Sequence, residues 1–249
     1  MRTFIAPLSA VALASVLAST ASATVLTFDF GGSNADTIAG AYGNRVSSFA
    51  PGLFNYGSDG GITPNVSVIY TPVLKLGGAT PLDNTRVFGD LSNVLYRDRN
   101  GGFTTGILEI TLSADPGFLV CLHRFDAAAV FNAVTGIGED LPARSIQVLD
   151  GLGTPLYQLD YDPANPPSTY IPGTNTPTLR HRRFDWDANP ICANRLMIRL
   201  DLTQLITIGG SKVDRIGLDN IKFSQIPAPG AAAVFLGAAG MLASRRRRN

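Results

Sequence analysis

Short segments that alternate apolar and polar residues recur along this chain, separated by turns rich in glycine, proline and aspartate. The clearest is 106–112 (GILEITL), and the turn at 114–117 (ADPG) leads into 118–125 (FLVCLHRF), which we expect to pair with it in one sheet. Between the two ends of the chain no segment sustains a helical period, and 127–134 is the one plausible internal helix or loop turn. Only two of the 19 acidic residues are glutamate, and aspartate favours turns over helices.

Six further segments have strand character: 24–30, 66–70, 145–149, 156–161, 196–202 and 213–223. Two of them, 145–149 and 156–161, flank the turn DGLG and are expected to pair. Many short strands joined by Gly/Pro turns are typical of sandwiches, in which the first and last strands often lie together. The sequence therefore predicts an all-β chain, an antiparallel β-sandwich of the jelly-roll type.

The N-terminal end has the layout of a secretory signal. Arg2 precedes an apolar run at 4–17, and the small residues Ala21 and Ala23 form an A-x-A cleavage site. Cleavage by signal peptidase after Ala23 leaves Thr24 as the mature N-terminus. We therefore expect an exported protein with an N-terminal signal helix; the alternative is a retained first membrane anchor.

The C-terminal end places three elements in order: a Pro-x-Pro-Gly turn, an uncharged apolar run at 231–243, and an arginine cluster. The residues are Pro227, Ala228, Pro229 and Gly230, and then Arg245, Arg246, Arg247 and Arg248. A helix of 13 residues reaches roughly 20 Å, short of the ~30 Å hydrocarbon core. The arginines anchor the end on the cytoplasmic side. We interpret the run as a short hydrophobic helix and a temporary membrane stop; a permanent tail anchor and a buried helix are the alternatives.

This ordered trio resembles the PEP-CTERM sorting signal of bacterial exosortase substrates, over 226–248, with alanine at the middle position of Pro-x-Pro. The resemblance implies export, transient insertion in the inner membrane and processing by an exosortase-type enzyme near Pro227. It divides the chain into a signal peptide (1–23), a sandwich domain (24–225) and a sorting segment (226–249).

The body also looks like one that PEP-CTERM proteins often carry. The resemblance rests on LTFD at 26–29, YGNRV at 42–46, TPNV at 63–66 and GLDNIKF at 217–223. The last of these is similar to the closing strand of galactose-binding-like and carbohydrate-binding jelly rolls. What this implies is an extracellular module related to polysaccharide binding.

The charge of the body differs from that of the whole chain. Of the 20 Lys and Arg residues, five lie in the two end segments, which leaves 15 against 19 acidic residues and a net charge of −4. Nucleic-acid binding needs an excess of positive charge on the protein. We therefore expect no nucleic-acid partner.

Two cysteines, Cys121 and Cys192, lie far apart in the sequence. In an oxidising compartment they can form one disulfide, and closing a loop of about 70 residues stabilises by roughly 4 kcal/mol in the chain-entropy model. Two separate buried thiols are an equal alternative, since pairing needs Cα atoms within about 7 Å. Neither cysteine has metal-ligand spacing.

A structural calcium ion is one candidate cofactor. Asp29 and Asp219 lie on the expected first and last strands, with Asn220 as a further oxygen donor. Calcium takes six to eight oxygen ligands, so backbone carbonyls would have to complete the set. The alternative is that Asp219 and Asn220 cap a turn.

Aromatic residues beside charged ones supply the chemistry of a saccharide surface between residues 160 and 190. Tyr161, Tyr170 and Trp186 can stack on sugar rings while neighbouring Arg and Asp side chains bind hydroxyls. The alternative is a solvated charged loop with Trp186 tucked under it.

Enzyme signatures are weak. The chain has two histidines, no G-x-S-x-G motif and no zinc-ligand set, and His123 falls on the Leu119/Cys121/Phe125 face of its strand, which predicts a satisfied core histidine. We expect a non-enzymatic cell-surface or matrix protein with a bias towards polysaccharide. A secreted polysaccharide hydrolase, recognisable by two facing carboxylates, and a purely structural surface protein are the alternatives.

Overall fold

The computed structural model describes residues 23–28, 38, 40–47, 61–71, 75–77, 86–88, 91, 93–98, 107–132, 145–160, 181–201, 207–208, 211–212 and 215–229. The expected signal helix, the apolar C-terminal run and the terminal arginines lie outside these residues. So do Asp29, Tyr161 and Tyr170.

Fifteen strands form the described part of the chain. In order they are β1 (Thr24–Leu26), β2 (Val66–Thr71), β3 (Lys75–Gly77), β4 (Arg86–Phe88), β5 (Val94–Asp98), β6 (Ile107–Ala114), β7 (Phe118–Asn132), β8 (Ser145–Asp150), β9 (Pro155–Asp160), β10 (Arg182–Asp185), β11 (Ile191–Ala193), β12 (Arg195–Asp201), β13 (Thr207–Ile208), β14 (Ser211–Lys212) and β15 (Arg215–Pro227). Every pairing among them is antiparallel.

The strands make two main sheets. The eight-stranded sheet has the order β10-β7-β15-β5-β3, with β1 on β15 and with β4 and β11 on β7. The five-stranded sheet has the order β2-β6-β12-β8-β9, and β13 pairs with β14 separately. The expected pairing of the first and last strands is confirmed by β1 on β15, and the expected hairpin is confirmed by β8 on β9.

One apolar cluster joins the inner faces of the two sheets. The five-stranded sheet contributes alternate residues of β6 and β12, among them Leu108, Ile110 and Ile198, all fully buried. The eight-stranded sheet contributes residues of β7 and β15 such as Leu122 and Phe223. Burial of both inner faces in one core makes the described part an all-β sandwich, since each sheet removes its apolar face from water against the other.

The expected pairing of 106–112 with 118–125 is wrong, although both segments are strands. β6 lies between β2 and β12, whereas β7 belongs to the other sheet, so the turn between them crosses the sandwich. Asp115 in this turn donates its N–H to the carbonyl of Asn65 at 2.8 Å, and its carboxylate binds both terminal guanidinium nitrogens of Arg45 at 2.6 Å. A short turn reverses the chain equally well within a sheet or between sheets, so the turn sequence does not decide the pairing.

The expectation of a helix or loop turn at 127–134 is also wrong, because β7 continues to Asn132. Ala127, Ala128 and Ala129 pair with β15 in an unbroken ladder. Alanine has the highest helix propensity of the amino acids, but propensities are small in free energy. Pairing with a neighbouring strand overrides them.

Candidate functional site

Two register shifts interrupt the ladder between β7 and β15. Leu122 lies opposite Phe223 and Arg124 opposite Lys222, so His123 is an extra residue on β7. A second shift follows on β15 between Asp219 and Lys222, where Asn220 has a φ of 52°. Asparagine is one of the few residues other than glycine that enters the left-handed region readily. The two β-bulges offset each other, so the ladder keeps its register at both ends.

The bulge on β7 changes which side chains face the core. Leu122 and Phe125 both belong to the apolar core, although they are three positions apart and strict alternation would place them on opposite faces. His123 and Arg124 between them therefore both point to the outer face of the sheet, as the two residues of a bulge do. The expectation that His123 shares a face with Phe125 and lies in the core is thus wrong, because alternation holds only where the register is unbroken.

His123 lies at the centre of a hydrogen-bonded chain on this outer face. Its Nε2 is 2.8 Å from the hydroxyl oxygen of Ser224, and its Nδ1 is 3.2 Å from Oδ1 of Asp187. Lys222 donates from Nζ to the same Asp187 oxygen at 2.8 Å, and Arg124 Nη1 lies 3.9 Å from Asp187 Oδ2. We call these five residues the Ser224 cluster. Three separate parts of the chain supply it: β7, β15 and the segment between β10 and β11.

Burial and charge fix the protonation states in the Ser224 cluster. Burial, assisted by the nearby Lys222 ammonium, lowers the pKa of His123 below its ordinary value of 6.5, and the Asp187 carboxylate opposes this shift only in part. The hydrogen bond from Lys222 lowers the pKa of Asp187. At neutral pH the cluster therefore holds a neutral imidazole between a hydroxyl and an ionised carboxylate.

The segment 186–190 between β10 and β11 is shaped to fit the bulge. β10 pairs with 124–127 and β11 with 120–122, so this segment lies opposite His123. Trp186 donates its backbone N–H to the His123 carbonyl at 2.7 Å. Asp187 donates its own N–H to Oδ1 of Asp185 at 2.8 Å. These two hydrogen bonds, from the backbone N–H groups of Trp186 and Asp187, hold the Asp187 side chain next to the histidine.

The two cysteines form a disulfide beside this cluster. Cys121 and Cys192 are direct cross-strand partners on β7 and β11, with Cα atoms 4.1 Å apart. On the other edge of β7, Cys121 lies opposite Ser224. The disulfide therefore fastens the end of the segment that carries Asp187 to the strand that carries His123.

Asp219 and Asn220, two of the residues proposed for calcium, lie in a second polar group. It is centred on the Asp219–Asp126 pair of the same β7–β15 ladder. Asp126 is fully buried and accepts two hydrogen bonds from Arg183, at 2.9 and 3.1 Å. The Asn220 amide nitrogen donates to Asp126 at 3.0 Å and to Asp219 at 3.2 Å. His181 Nε2 lies 3.7 Å from Asp126.

In this second group the carboxylates bind the guanidinium of Arg183 and the side-chain amide of Asn220. Within the described residues, no set of three or more His, Cys, Asp or Glu side chains is arranged to hold a metal ion. The proposed third ligand, Asp29, lies outside those residues. What the structure shows is Asn220 bridging the carboxylates of Asp126 and Asp219, which lie directly opposite each other in the ladder.

Trp186, the described member of the proposed saccharide surface, packs on the core. Its ring centroid is 5.8 Å from Phe125, 6.4 Å from Phe184 and 5.0 Å, edge to face, from Tyr157. Tyr157 belongs to the five-stranded sheet and Phe184 to the eight-stranded one, so the aromatic group bridges the two sheets. Trp186 is half-buried.

The start of the sorting segment closes the last strand. β15 ends at Pro227, as expected for a residue that lacks a backbone donor, and the N–H of Ala228 binds the Gly117 carbonyl at 2.8 Å. Pro229 is exposed. Among the residues that the structure describes, no helix has the length and apolar character needed to cross a membrane.

Comparison with known proteins finds neither a family model nor a curated protein that matches this chain.

The Ser224 cluster was not predicted from the sequence. His123 and Ser224 are 101 positions apart, and Lys222 and Asp187 are 35 apart. Only the cross-strand register and the bulge bring them together, and no local motif signals either.

Proposed function

We propose that this chain is an exported protein of the cell surface or extracellular matrix, processed through an exosortase-type sorting signal, whose jelly-roll sandwich binds polysaccharide. The observation that carries the proposal is the Cys121–Cys192 disulfide. Disulfides form and persist in oxidising compartments and are rare where glutathione and thioredoxin keep thiols reduced.

The positions of the first and last described strands support the two processing sites. Thr24, the expected mature N-terminus, opens β1, is fully buried and hydrogen-bonds Thr63 through its hydroxyl at 2.8 Å. At the other end β15 stops at Pro227. All fifteen described strands therefore lie between the site where signal peptidase is expected to cut and the Pro-x-Pro element. Cleavage at both sites would leave each of these strands whole.

The first experiment is the intact mass and cell fraction of the protein purified from its native cell. We expect a chain that begins at Thr24 and ends between Pro227 and Gly230, recovered from the envelope or medium. Recovery of a chain that still contains Arg245–Arg248 in the inner membrane would show a permanent anchor and contradict exosortase processing. A full-length chain in the cytoplasm would contradict export.

Polysaccharide binding is supported by the exposed part of Trp186 and by the charged residues around it. Arg182 lies 5.5 Å above the Phe184 ring next to it, and Asp185 is exposed. The residues expected to complete the surface are Tyr161 and Tyr170.

Affinity electrophoresis of the purified chain through gels that contain acidic or neutral polysaccharides tests this part. We expect at least one polysaccharide to retard the chain, and Trp186→Phe to weaken that retardation while it preserves core packing. Leu152→Ala, at a 92 % exposed turn residue, is the control and should leave retardation unchanged. Free migration of the unmodified chain in every gel would refute polysaccharide binding.

A further inference from the structure

We propose that the Ser224 cluster is an esterase site for small acyl esters, in which Ser224 is the nucleophile, His123 the general base and Asp187 the carboxylate that orients the imidazole. The inference is independent of where the protein resides and of polysaccharide binding. It rests on connectivity, burial and charge in the described residues.

The hydrogen bonds of His123 follow the order of a catalytic triad. The serine oxygen contacts Nε2 of His123 at 2.8 Å and the aspartate contacts Nδ1 at 3.2 Å, so each ring nitrogen has the partner that nucleophilic catalysis requires. Such triads recur on unrelated folds in different chain orders and are recognised by geometry and role. The G-x-S-x-G motif forms the strand-to-helix turn that holds the nucleophile in α/β-hydrolases. Ser224 lies within a strand, so a triad here does not require that motif.

The protonation states of His123 and Asp187 suit the same roles. A general base must be neutral before it accepts the serine proton, and burial together with Lys222 keeps His123 neutral at pH 7. The ionised Asp187 then stabilises the imidazolium that forms. The bulge supports the same role, since it turns His123 out of the core and towards Ser224.

Arg124 places a positive charge beside His123. Among the described residues, the Nε of Arg124 is buried and makes no hydrogen bond. Because Arg124 is the second residue of the same bulge, it lies beside His123 on the outer face. Its Nε has no surface that a substrate could reach, but 25 % of the side chain is exposed. The guanidinium charge can therefore stabilise the negative oxygen that develops on a substrate carbonyl.

The chemistry balances without a further reactant apart from water. Ser224 Oγ attacks the ester carbonyl carbon and its proton passes to His123 Nε2, giving a tetrahedral intermediate whose oxyanion Arg124 stabilises. The bond from that carbon to the alkoxy oxygen breaks, and His123 returns the proton to the leaving alcohol. Water, deprotonated by His123 Nε2, then attacks the acyl-serine carbonyl carbon. The bond from that carbon to Ser224 Oγ breaks, His123 returns the proton to Oγ, and the carboxylic acid leaves.

Exposure limits the size of the substrate. Ser224 is 6 % exposed, whereas the side chains of His123 and Asp187 are 17 % and 36 % exposed. Only a slender group can reach the hydroxyl past its neighbours, so the acyl part of the substrate is small, such as acetyl.

The test is covalent labelling of the purified chain, with its disulfide intact, by a small dialkyl fluorophosphonate. We expect one adduct, located on Ser224 by peptide mass analysis, and none on Ser224→Ala. His123→Gln keeps a side-chain amide that can hydrogen-bond Ser224 but cannot act as a base, so labelling should slow by about 100-fold or more. Ser67→Ala, in β2 of the other sheet, is the matched control and should label at the normal rate.

Two results would overturn the esterase proposal: no adduct on Ser224 in folded, unmodified chain, or an equal labelling rate in His123→Gln. Circular dichroism of each variant separates loss of reactivity from loss of fold. Because labelling uses purified protein, its failure leaves the export proposal intact, and mislocalisation leaves the esterase proposal intact.

Discussion

The two sheets contrast most at their central strand pairs. β6 and β12 run in register over seven residue pairs without a shift, and alternate residues such as Ile110 and Ile198 all face the core. β7 and β15 contain two bulges in their ladder, and there the outer face carries an extended network of buried and half-buried polar groups. On the regular pair the described ion pair is simpler, with Arg199 binding Glu109 directly across the ladder at 2.7 and 2.9 Å.

This contrast shows what a bulge adds to a sheet. In a regular ladder each outward side chain meets one cross-strand neighbour. A bulge places two consecutive side chains on one face, so His123 and Arg124 both reach the segment that carries Asp187. The same core can therefore be covered by small polar groups on one side, such as Glu109 with Arg199 and Thr111, and by a larger connected cluster on the other.

Single-residue deletions in β6 and in β7 should differ most in their effect on folding. Removal of Glu109 from β6 would turn Ile110 and Leu112 away from the core, because one residue of slip exchanges the two faces. Removal of His123 would leave Leu122 and Phe125 on the same face, since only Arg124 would remain between them.

We therefore expect the Glu109 deletion to abolish cooperative thermal unfolding and the His123 deletion to retain it at reduced stability. Near-ultraviolet circular dichroism during heating measures both. A folded Glu109 deletion, or an unfolded His123 deletion, would contradict the assignment of the extra residue to position 123.

The cross-link on the bulged side should have the next largest effect. Replacing both Cys121 and Cys192 by alanine removes a bridge across 71 positions of sequence, which should lower the free energy of unfolding by about 4 kcal/mol in the chain-entropy model. Urea denaturation of the double variant and of unmodified chain under reducing and oxidising conditions gives the value. If reduction leaves the midpoint unchanged, the disulfide does not hold the sheet.

Replacing one carboxylate in each sheet should change the free energy of unfolding by a smaller amount. Asp126→Ala removes a fully buried acceptor of hydrogen bonds from Arg183 and Asn220, and we expect a loss of about 2–3 kcal/mol. Glu109→Ala removes one partner of the partly exposed pair with Arg199, and we expect a loss of about 1 kcal/mol or less. Equal losses in urea denaturation would show that the network on the bulged side adds nothing to single pairs.

The smallest effect should be on the pH dependence of stability. The folded pKa of His123 lies below its unfolded value of 6.5, so between these values the unfolded state binds more protons. The contribution of neutral His123 is present above pH 6.5 and is lost as the pH falls from 6.5 through the folded pKa. His123→Gln should flatten this part of the curve of stability against pH, whereas the same slope in both proteins would place the titrating group elsewhere.

The sequence by itself determined the features that depend on neighbouring residues. Alternation located β6 and β12, the turn after Asp150 located the β8–β9 hairpin, and Pro227 marked the end of β15. Strand period, turn chemistry and the missing donor of proline act over a few residues, so they can be read directly from the chain.

Only the tertiary structure decided which sheet each strand joins and which way the residues near His123 point. β6 and β7 share a turn but pair with strands distant in sequence, and the bulge exists because β15 supplies one residue opposite two. Register is set by the whole set of cross-strand partners, and a single extra residue reverses the faces that alternation predicts. The Ser224 cluster follows from that one residue, which is why no local pattern in the sequence indicated it.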